Sequence, residues 1–321
     1  MPAKPCLQPP MTAPPTSAQL LEQGLHLHRA GQLTQAMDRY TQVLRTDPKD
    51  PDAIYYIAVI ACHEGQLQHG IDLARRSLNY RPRQARAHNL IGQALQRMGR
   101  AKEALASFDD ALECDPKFAD AYGNRANMLS ALGRPAEALS SFERAIELNP
   151  NAAVDWLNRG VTLHGLGRLD EAIASFDKAV ALVPDFSVPH VNRASVLSDL
   201  GRWPDAVAGY DRAIALTPKF AEAHLGRAIA LQALARLEDA LAAVERALEL
   251  KPELAAAYKC RGDVLQAMGR PEEAKASLAK AAEIEAKTSS ARPRESARVC
   301  THLVRRIDSG RSGGFQNREF V

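Results

Sequence analysis

The sequence has few aromatic residues and few cysteines, and it contains no long apolar run. Only 5% of its 321 residues are aromatic, and its five cysteines form no CxxC pair or other metal-ligand spacing. An odd number of scattered cysteines is typical of a reducing compartment rather than of a disulfide framework. The longest apolar stretch, residues 53–62, is far shorter than the ~20 residues of a membrane-spanning helix. These absences predict a cytoplasmic protein without a membrane span.

Motifs of catalysis and small-ligand binding are missing as well. The sequence contains no glycine-rich phosphate loop, no nucleophile elbow and no paired-carboxylate motif. Its nine histidines show no HExxH arrangement, and isolated histidines lack the companions that a metal site requires. We therefore expect a non-catalytic protein with no catalytic residue, no metal and no cofactor.

The net charge of +3 is unevenly distributed along the chain. Residues 289–321 contain seven arginines and three acidic residues, a net charge of +4, and residues 1–16 contribute +1 from one lysine. Subtraction leaves −2 for residues 17–288, whereas a helical repeat that binds RNA needs a basic surface. The charge therefore disfavours a nucleic-acid partner.

Prolines recur every 34 residues, and a period of this length indicates a repeat architecture. The prolines are Pro48, Pro82, Pro116, Pro150, Pro184, Pro218 and Pro252. The period divides the chain into eight repeats, the last of which has Ala286 in place of the proline. The predicted repeats are 17–50, 51–84, 85–118, 119–152, 153–186, 187–220, 221–254 and 255–288.

Each repeat is predicted to consist of two helices, A and B, separated by a turn. Places are counted from the first residue of each repeat, which is place 1. Place 8 is Gly or Ala, place 15 is Gly except at Ala235, place 20 is Ala or Gly, and place 24 is aromatic in five repeats. Small residues opposite large ones allow two helices to interlock, and a turn glycine adopts the left-handed conformation that ends helix A. His88, His190 and His224 share place 4, where we expect them to pack rather than to bind a metal.

This pattern of small residues, turn glycine, aromatic residue and closing proline resembles the tetratricopeptide repeat (TPR). The resemblance covers residues 17–288 and implies an all-α fold, a right-handed superhelix (α-solenoid) of about eight helix-turn-helix repeats with a concave groove lined by the A helices. Residues 1–16 are rich in proline and are predicted to be a disordered lead. Residues 289–321 form a basic tail in which 296–307 is a candidate capping helix. Alternatively the tail is disordered, or the reading frame is truncated or shifted there.

Arginine occupies place 7 in five consecutive repeats, and an acidic residue stands 16 positions before each arginine. Where place 7 is Ile57 or Ile91, the residue 16 positions earlier is not acidic. The offset predicts ion pairs between helix B of one repeat and helix A of the next. The pairs of this predicted ion-pair ladder are Asp109–Arg125, Glu143–Arg159, Asp177–Arg193, Asp211–Arg227 and Glu245–Arg261.

Asparagine occupies place 6 in three central repeats, at Asn124, Asn158 and Asn192. Asparagine is a mediocre helix former, and its amide offers two donors and one acceptor, so we expect these residues to bind the backbone of an extended peptide. The three resemble the asparagine ladder in the TPR superhelix of O-GlcNAc transferases. Alternatively, they bond locally or face water. An apolar patch is predicted beside the amides, formed by Leu157, Val161, Val188 and Val191.

Two functions remain open for such a repeat protein. The first is a stand-alone interaction scaffold that binds a protein or peptide partner in the groove. The alternative, implied by the resemblance, is the substrate-binding arm of an O-GlcNAc-transferase-like glycosyltransferase that lacks its catalytic domain. The identity of the partner and the oligomeric state do not follow from the sequence.

Overall fold

The computed structural model of the protein describes residues 15–290. These residues form sixteen α-helices and no strand, so this part of the chain is all-α. The helices are α1 (Ser17–Arg29), α2 (Leu33–Thr46), α3 (Pro51–His63), α4 (Leu67–Tyr80), α5 (Ala85–Arg97), α6 (Ala101–Cys114), α7 (Ala119–Ala131), α8 (Pro135–Leu148), α9 (Ala153–Gly165), α10 (Leu169–Leu182), α11 (Ser187–Asp199), α12 (Trp203–Leu216), α13 (Ala221–Ala233), α14 (Leu237–Leu250), α15 (Ala255–Ala267) and α16 (Pro271–Ser290). The predicted lead lies outside the described residues except for Pro15 and Thr16, and the predicted capping helix lies outside them entirely.

The described chain comprises two compact units. The N-terminal unit contains α1–α7 and the C-terminal unit contains α8–α16. Within the N-terminal unit, α1 packs on α2, α3 on α4 and α5 on α6, and each even-numbered helix also packs on the odd-numbered helix that follows it. Within the C-terminal unit, α8 packs on α9, and the pairs α9–α10, α11–α12, α13–α14 and α15–α16 repeat the same arrangement. The odd-numbered helices are therefore the A helices of the repeats, and the even-numbered helices are the B helices.

A residue without a side chain lets an aromatic ring of helix B approach helix A closely. A Cβ added at Gly160 would lie 2.5 Å from Cε1 of Phe176, and the same contact occurs between Gly92 and Phe108. Both phenylalanine side chains are fully buried. Because interiors are packed as tightly as organic crystals, the ring occupies the space that the glycine leaves. This interlock fixes the distance between the two helices of a repeat.

The turn between helices A and B requires a left-handed backbone conformation at place 15. Gly167 has a φ of 73°, and Ala235, the exception in the sequence, has a φ of 57°. This conformation costs a residue with a Cβ atom roughly 1–2 kcal/mol. The sequence pattern predicts glycine at place 15, and the turn keeps the same left-handed conformation where Ala235 replaces that glycine.

We expect the substitution Ala235→Gly to raise the free energy of unfolding by about 0.5–1 kcal/mol. Relief of the strained φ outweighs the extra entropy that glycine gives to the unfolded chain. Guanidinium denaturation of the full chain measures the change. Gly167→Ala is the matched reverse substitution, since an added Cβ meets nothing within 4 Å there, and it should lower stability. A loss of stability on Ala235→Gly would contradict the interpretation.

Each B helix from α6 to α16 begins with an arginine–acid pair. The arginine precedes the helix, and the acid in the first turn lies 2.6–2.7 Å from it. The pairs are Arg100–Glu103, Arg134–Glu137, Arg168–Glu171, Arg202–Asp205, Arg236–Asp239 and Arg270–Glu273. The hydrogen bond from Arg100 lowers the pKa of the Glu103 carboxyl, which keeps a negative charge at the positive end of the helix dipole.

Ring nitrogens at place 4 bond to the closing proline of the preceding repeat. Trp156 Nε1 donates to the carbonyl oxygen of Pro150 at 2.9 Å, and His224 Nε2 lies 3.0 Å from that of Pro218. A carbonyl oxygen only accepts, so Nε2 of His224 is the donor in this contact. These bonds tie the start of helix A to the end of the preceding helix B.

Candidate functional site

The arginines of place 7 lie beside the acidic residues that precede them by 16 positions. In the N-terminal unit, Arg125 Nε lies 2.6 Å from Asp109 Oδ1. In the C-terminal unit, four such pairs have N–O distances of 2.6–3.8 Å, and each joins a B helix to the next A helix. They are Arg159–Glu143 (3.1 Å), Arg193–Asp177 (2.7 Å), Arg227–Asp211 (2.6 Å) and Arg261–Glu245 (3.8 Å).

Arg159 contacts the B helices on both sides of α9. Its Nη2 donates to Glu143 Oε1 on α8, and its Nη1 donates to Ser175 Oγ on α10 at 2.8 Å. Only 17% of its side chain is exposed, against 45% for Glu143. At Arg193, Nε lies 2.7 Å from Asp177 Oδ1 but makes no hydrogen bond, so that contact is an ion pair with poor alignment. A guanidinium held by its own chain favours a structural role over ligand binding.

The aliphatic residues predicted to line the groove lie on α9 and α11. Leu157 and Val191 are buried, whereas Val161 and Val188 are half-buried. Val154, three residues before Leu157 on the same face of α9, is 57% exposed. We call Val154, Leu157, Val161, Val188 and Val191 the aliphatic patch. The patch is less open than the sequence suggested, because neighbouring A helices pack on each other and cover place 5.

The three asparagines of place 6 have different surroundings. In the N-terminal unit, Asn124 Nδ2 donates to Asn89 Oδ1 at 3.1 Å. In the C-terminal unit, Asn158 is half-buried, and Asn192 is only 4% exposed. The Nδ2 atom of Asn192 is buried without a hydrogen-bond partner. Buried amide donors are nearly always paired, so the unused donor of Asn192 is an exception. It lies next to the aliphatic patch.

Asn89 is a residue whose role sequence reasoning did not assign. It stands at place 5 rather than place 6 and is buried. The sequence carried a sign of this role, because Asn89 stands one position before place 6 in the repeat that precedes Asn124. The bond between the two shows that places 5 and 6 of consecutive A helices come within hydrogen-bond distance.

Reactive groups are scarce in the part of the chain that the structure describes. Burial and the charge of Asp263 raise the pKa of the Cys260 thiol to about 12, so it stays protonated and is a poor nucleophile. Residues 15–290 contain no group of three or more potential metal ligands. Among the sixteen helices, none has the length and hydropathy of a membrane span.

Comparison with known proteins matches several family models to the chain. Those described as tetratricopeptide repeat match residues 107–140, 124–185 and 261–288, and one described as TPR repeat matches 194–234. A model described as anaphase-promoting complex, cyclosome, subunit 3 matches residues 29–111. No curated protein is significantly similar to the sequence.

Solved structures with the same fold include PilW, pilF and a chain of an APC/C assembly. PilW, a type IV pilus biogenesis factor, is 26% identical with a TM-score of 0.56, and the match covers 64% of this chain and 93% of PilW. Pseudomonas aeruginosa pilF is 20% identical with a TM-score of 0.59, covering 64% and 94%. A chain of the APC/C hetero-tetramer Cut9-Hcn1 is 18% identical with a TM-score of 0.60, covering 84% and 53%.

The repeat models match segments between residues 107 and 288, and the helix pairs, the turn conformation and the small-to-aromatic packing recur in both units. The chain is a tetratricopeptide repeat protein with an all-α solenoid fold.

Proposed function

We propose that the protein is a non-catalytic interaction scaffold that binds an extended peptide segment on the A-helix face of its central repeats. The observation that carries the proposal is the buried, unpaired amide nitrogen of Asn192 beside the aliphatic patch. A buried donor without a partner costs about 1–3 kcal/mol, and a ligand that supplies an acceptor recovers this free energy. Every peptide bond offers such an acceptor, whatever the side chains of the peptide.

The aliphatic patch supplies the second part of the proposed site. Val154 is largely exposed, and Val161 and Val188 are half-buried. Covering apolar surface contributes roughly 25 cal/mol per Å², so apolar side chains of the peptide would bind here while its backbone meets the amide. We expect Val188 and Ser195, which lie one turn before and after Asn192, to change rotamers when the peptide binds.

Asn158 extends the proposed site within the C-terminal unit, and Asn124 is a separate candidate peptide contact within the N-terminal unit. Val161 shares a face of α9 with both Asn158 and Leu157, because it lies three positions after the first and four after the second. Asn124 uses one of its amide protons on Asn89 and has a second to offer. The alternative function, the substrate-binding arm of an O-GlcNAc-transferase-like enzyme, stays a prediction. It would use the same peptide site.

We expect Asn192→Leu to weaken peptide binding at least tenfold without lowering stability. Leucine removes the unused donor, and replacing an unpaired buried polar group by an apolar group of similar size is neutral or stabilising. The ligands are peptides selected by the full chain from a random library displayed on phage, and fluorescence anisotropy measures their affinities. Thermal unfolding of the free protein measures stability.

Asn79→Leu is the matched control, since Asn79 is exposed on helix α4. It should leave the affinity within a factor of two of the original. If Asn192→Leu destabilises the free protein, the amide has a structural partner and the proposal loses its main support. Equal affinities of the two variants would also contradict the peptide site.

A further inference from the structure

Residues 75–100 contain seven arginines and no acidic residue. These arginines are Arg75, Arg76, Arg81, Arg83, Arg86, Arg97 and Arg100. Arg81 is paired with Asp52 at 2.6 Å, and Arg100 is paired with Glu103. Arg97 donates to the neutral carbonyl oxygen of Cys62, so its positive charge is not balanced by that bond. The N-terminal unit therefore concentrates positive charge around helix α5.

Three tyrosines lie beneath this charge. The rings of Tyr40 and Tyr56 are stacked with centroids 5.3 Å apart, and Tyr55 meets Tyr56 edge-on at 5.2 Å. Burial raises the pKa of Tyr56, and exposed Arg86, at the start of α5, opposes this rise through its charge and a side-chain hydrogen bond, as does the charge of exposed Arg29, at the end of α1. We call Arg29, Tyr40, Tyr55, Tyr56 and Arg86 the tyrosine–arginine cluster.

Two buried polar atoms of this region have no hydrogen-bond partner. They are Tyr40 Oη and His28 Nδ1, whose rings lie 6.4 Å apart. Buried polar atoms of this kind are rare and call for an explanation. Burial raises the pKa of Tyr40, so its hydroxyl stays protonated and can donate a hydrogen bond. Tyr40 is fully buried, so the exposed part of the cluster is its two arginines, with the unpaired hydroxyl beneath them.

We propose that the tyrosine–arginine cluster is a second docking surface, which binds an acidic peptide segment of a partner protein. A guanidinium presents two parallel N–H groups that fit a carboxylate, and Arg29 and Arg86 lie at the ends of two different A helices and both act on Tyr56. The tyrosines form a rigid floor, because their rings pack on one another. This surface lies in the N-terminal unit and is independent of the aliphatic patch.

The observations favour an acidic peptide over a nucleic acid. All three tyrosines are buried, so their ring faces are not available to stack on bases. Residues 15–132 carry 14 Lys and Arg against 13 Asp and Glu, a net charge of +1. A nucleic acid needs a continuous basic surface along its phosphates, whereas one acidic segment needs only a local cation pair.

The test measures binding of a labelled twelve-residue peptide of alternating glutamate and serine to the full chain at low salt. Arg29→Gln combined with Arg86→Gln should weaken binding at least tenfold, and Tyr56→Phe should weaken it several-fold while keeping the ring packing. The matched control is Lys102→Gln with Lys117→Gln, which removes the same charge from exposed sites of the same unit. It should change the affinity less than twofold, and so should Asn192→Leu.

Three results would overturn the proposal. The first is an equal loss of affinity in the arginine and lysine double variants, which would show non-specific attraction to the charge of the unit. The second is equal binding of a peptide with glutamine in place of glutamate. The third is tighter binding of a labelled twenty-nucleotide oligothymidine than of the acidic peptide, together with a loss of that binding in the double arginine variant. This result would assign the surface to a nucleic acid.

Discussion

Replacing Phe176 with alanine is expected to lower the free energy of unfolding by about 3–5 kcal/mol. The ring is fully buried between α9 and α10, and it lies directly against Gly160. Because Gly160 has no side chain that could move into the space, most of the cavity should persist. Guanidinium denaturation of the full chain, followed by circular dichroism, measures the change.

Two further variants separate this interlock from a general loss of apolar surface. Phe186→Ala, at a half-buried phenylalanine, should cost clearly less than Phe176→Ala. Gly160→Ala alone should destabilise by roughly 1–3 kcal/mol, because its Cβ collides with the ring, and adding Phe176→Leu should recover part of this loss. A cost below about 1 kcal/mol for Phe176→Ala would contradict the packing described here.

Reversing the charge of Arg159 should lower the free energy of unfolding by about 2 kcal/mol. Arg159→Glu replaces the hydrogen bond to Glu143 by a repulsion between two carboxylates and leaves Ser175 without its donor. The magnitude lies between that of an exposed ion pair and that of a broken buried one, because the arginine is mostly buried and the acid is not.

The exchange of both residues tests whether the pair itself matters. Arg159→Glu combined with Glu143→Arg restores opposite charges across the same two helices, so it should regain at least a third of the lost stability. Denaturation of the original protein, the two single variants and the double variant gives the coupling free energy between the two residues. If the double variant is no more stable than Arg159→Glu alone, the ladder does not fix the register between repeats.

The 34-residue period was sufficient to predict the all-α TPR fold, because it records packing that recurs in every repeat. Gly160 and Phe176 sit at fixed places of the pattern, and their contact follows from that register. The left-handed φ of Ala235 could be expected only from the turn glycines of the other repeats. The helix propensity of alanine by itself does not predict this left-handed conformation.

The site was less predictable than the fold, since helical spacing gives the face of a residue but not its partners. The offset of 16 residues pointed to Arg159 and Glu143, which lie 3.1 Å apart. The burial of Asn192 and the bond between Asn89 and Asn124 depend on how closely neighbouring A helices approach. The tyrosine–arginine cluster brings together residues from four helices, and no period relates them.

The most direct test of the peptide site is hydrogen–deuterium exchange of the full chain with and without a selected peptide. The account predicts slower exchange in α9 and α11, the A helices that carry the aliphatic patch and Asn192, with little change in α10 and α12 behind them. Protection confined to the B helices, or to segments outside residues 153–199, would contradict it.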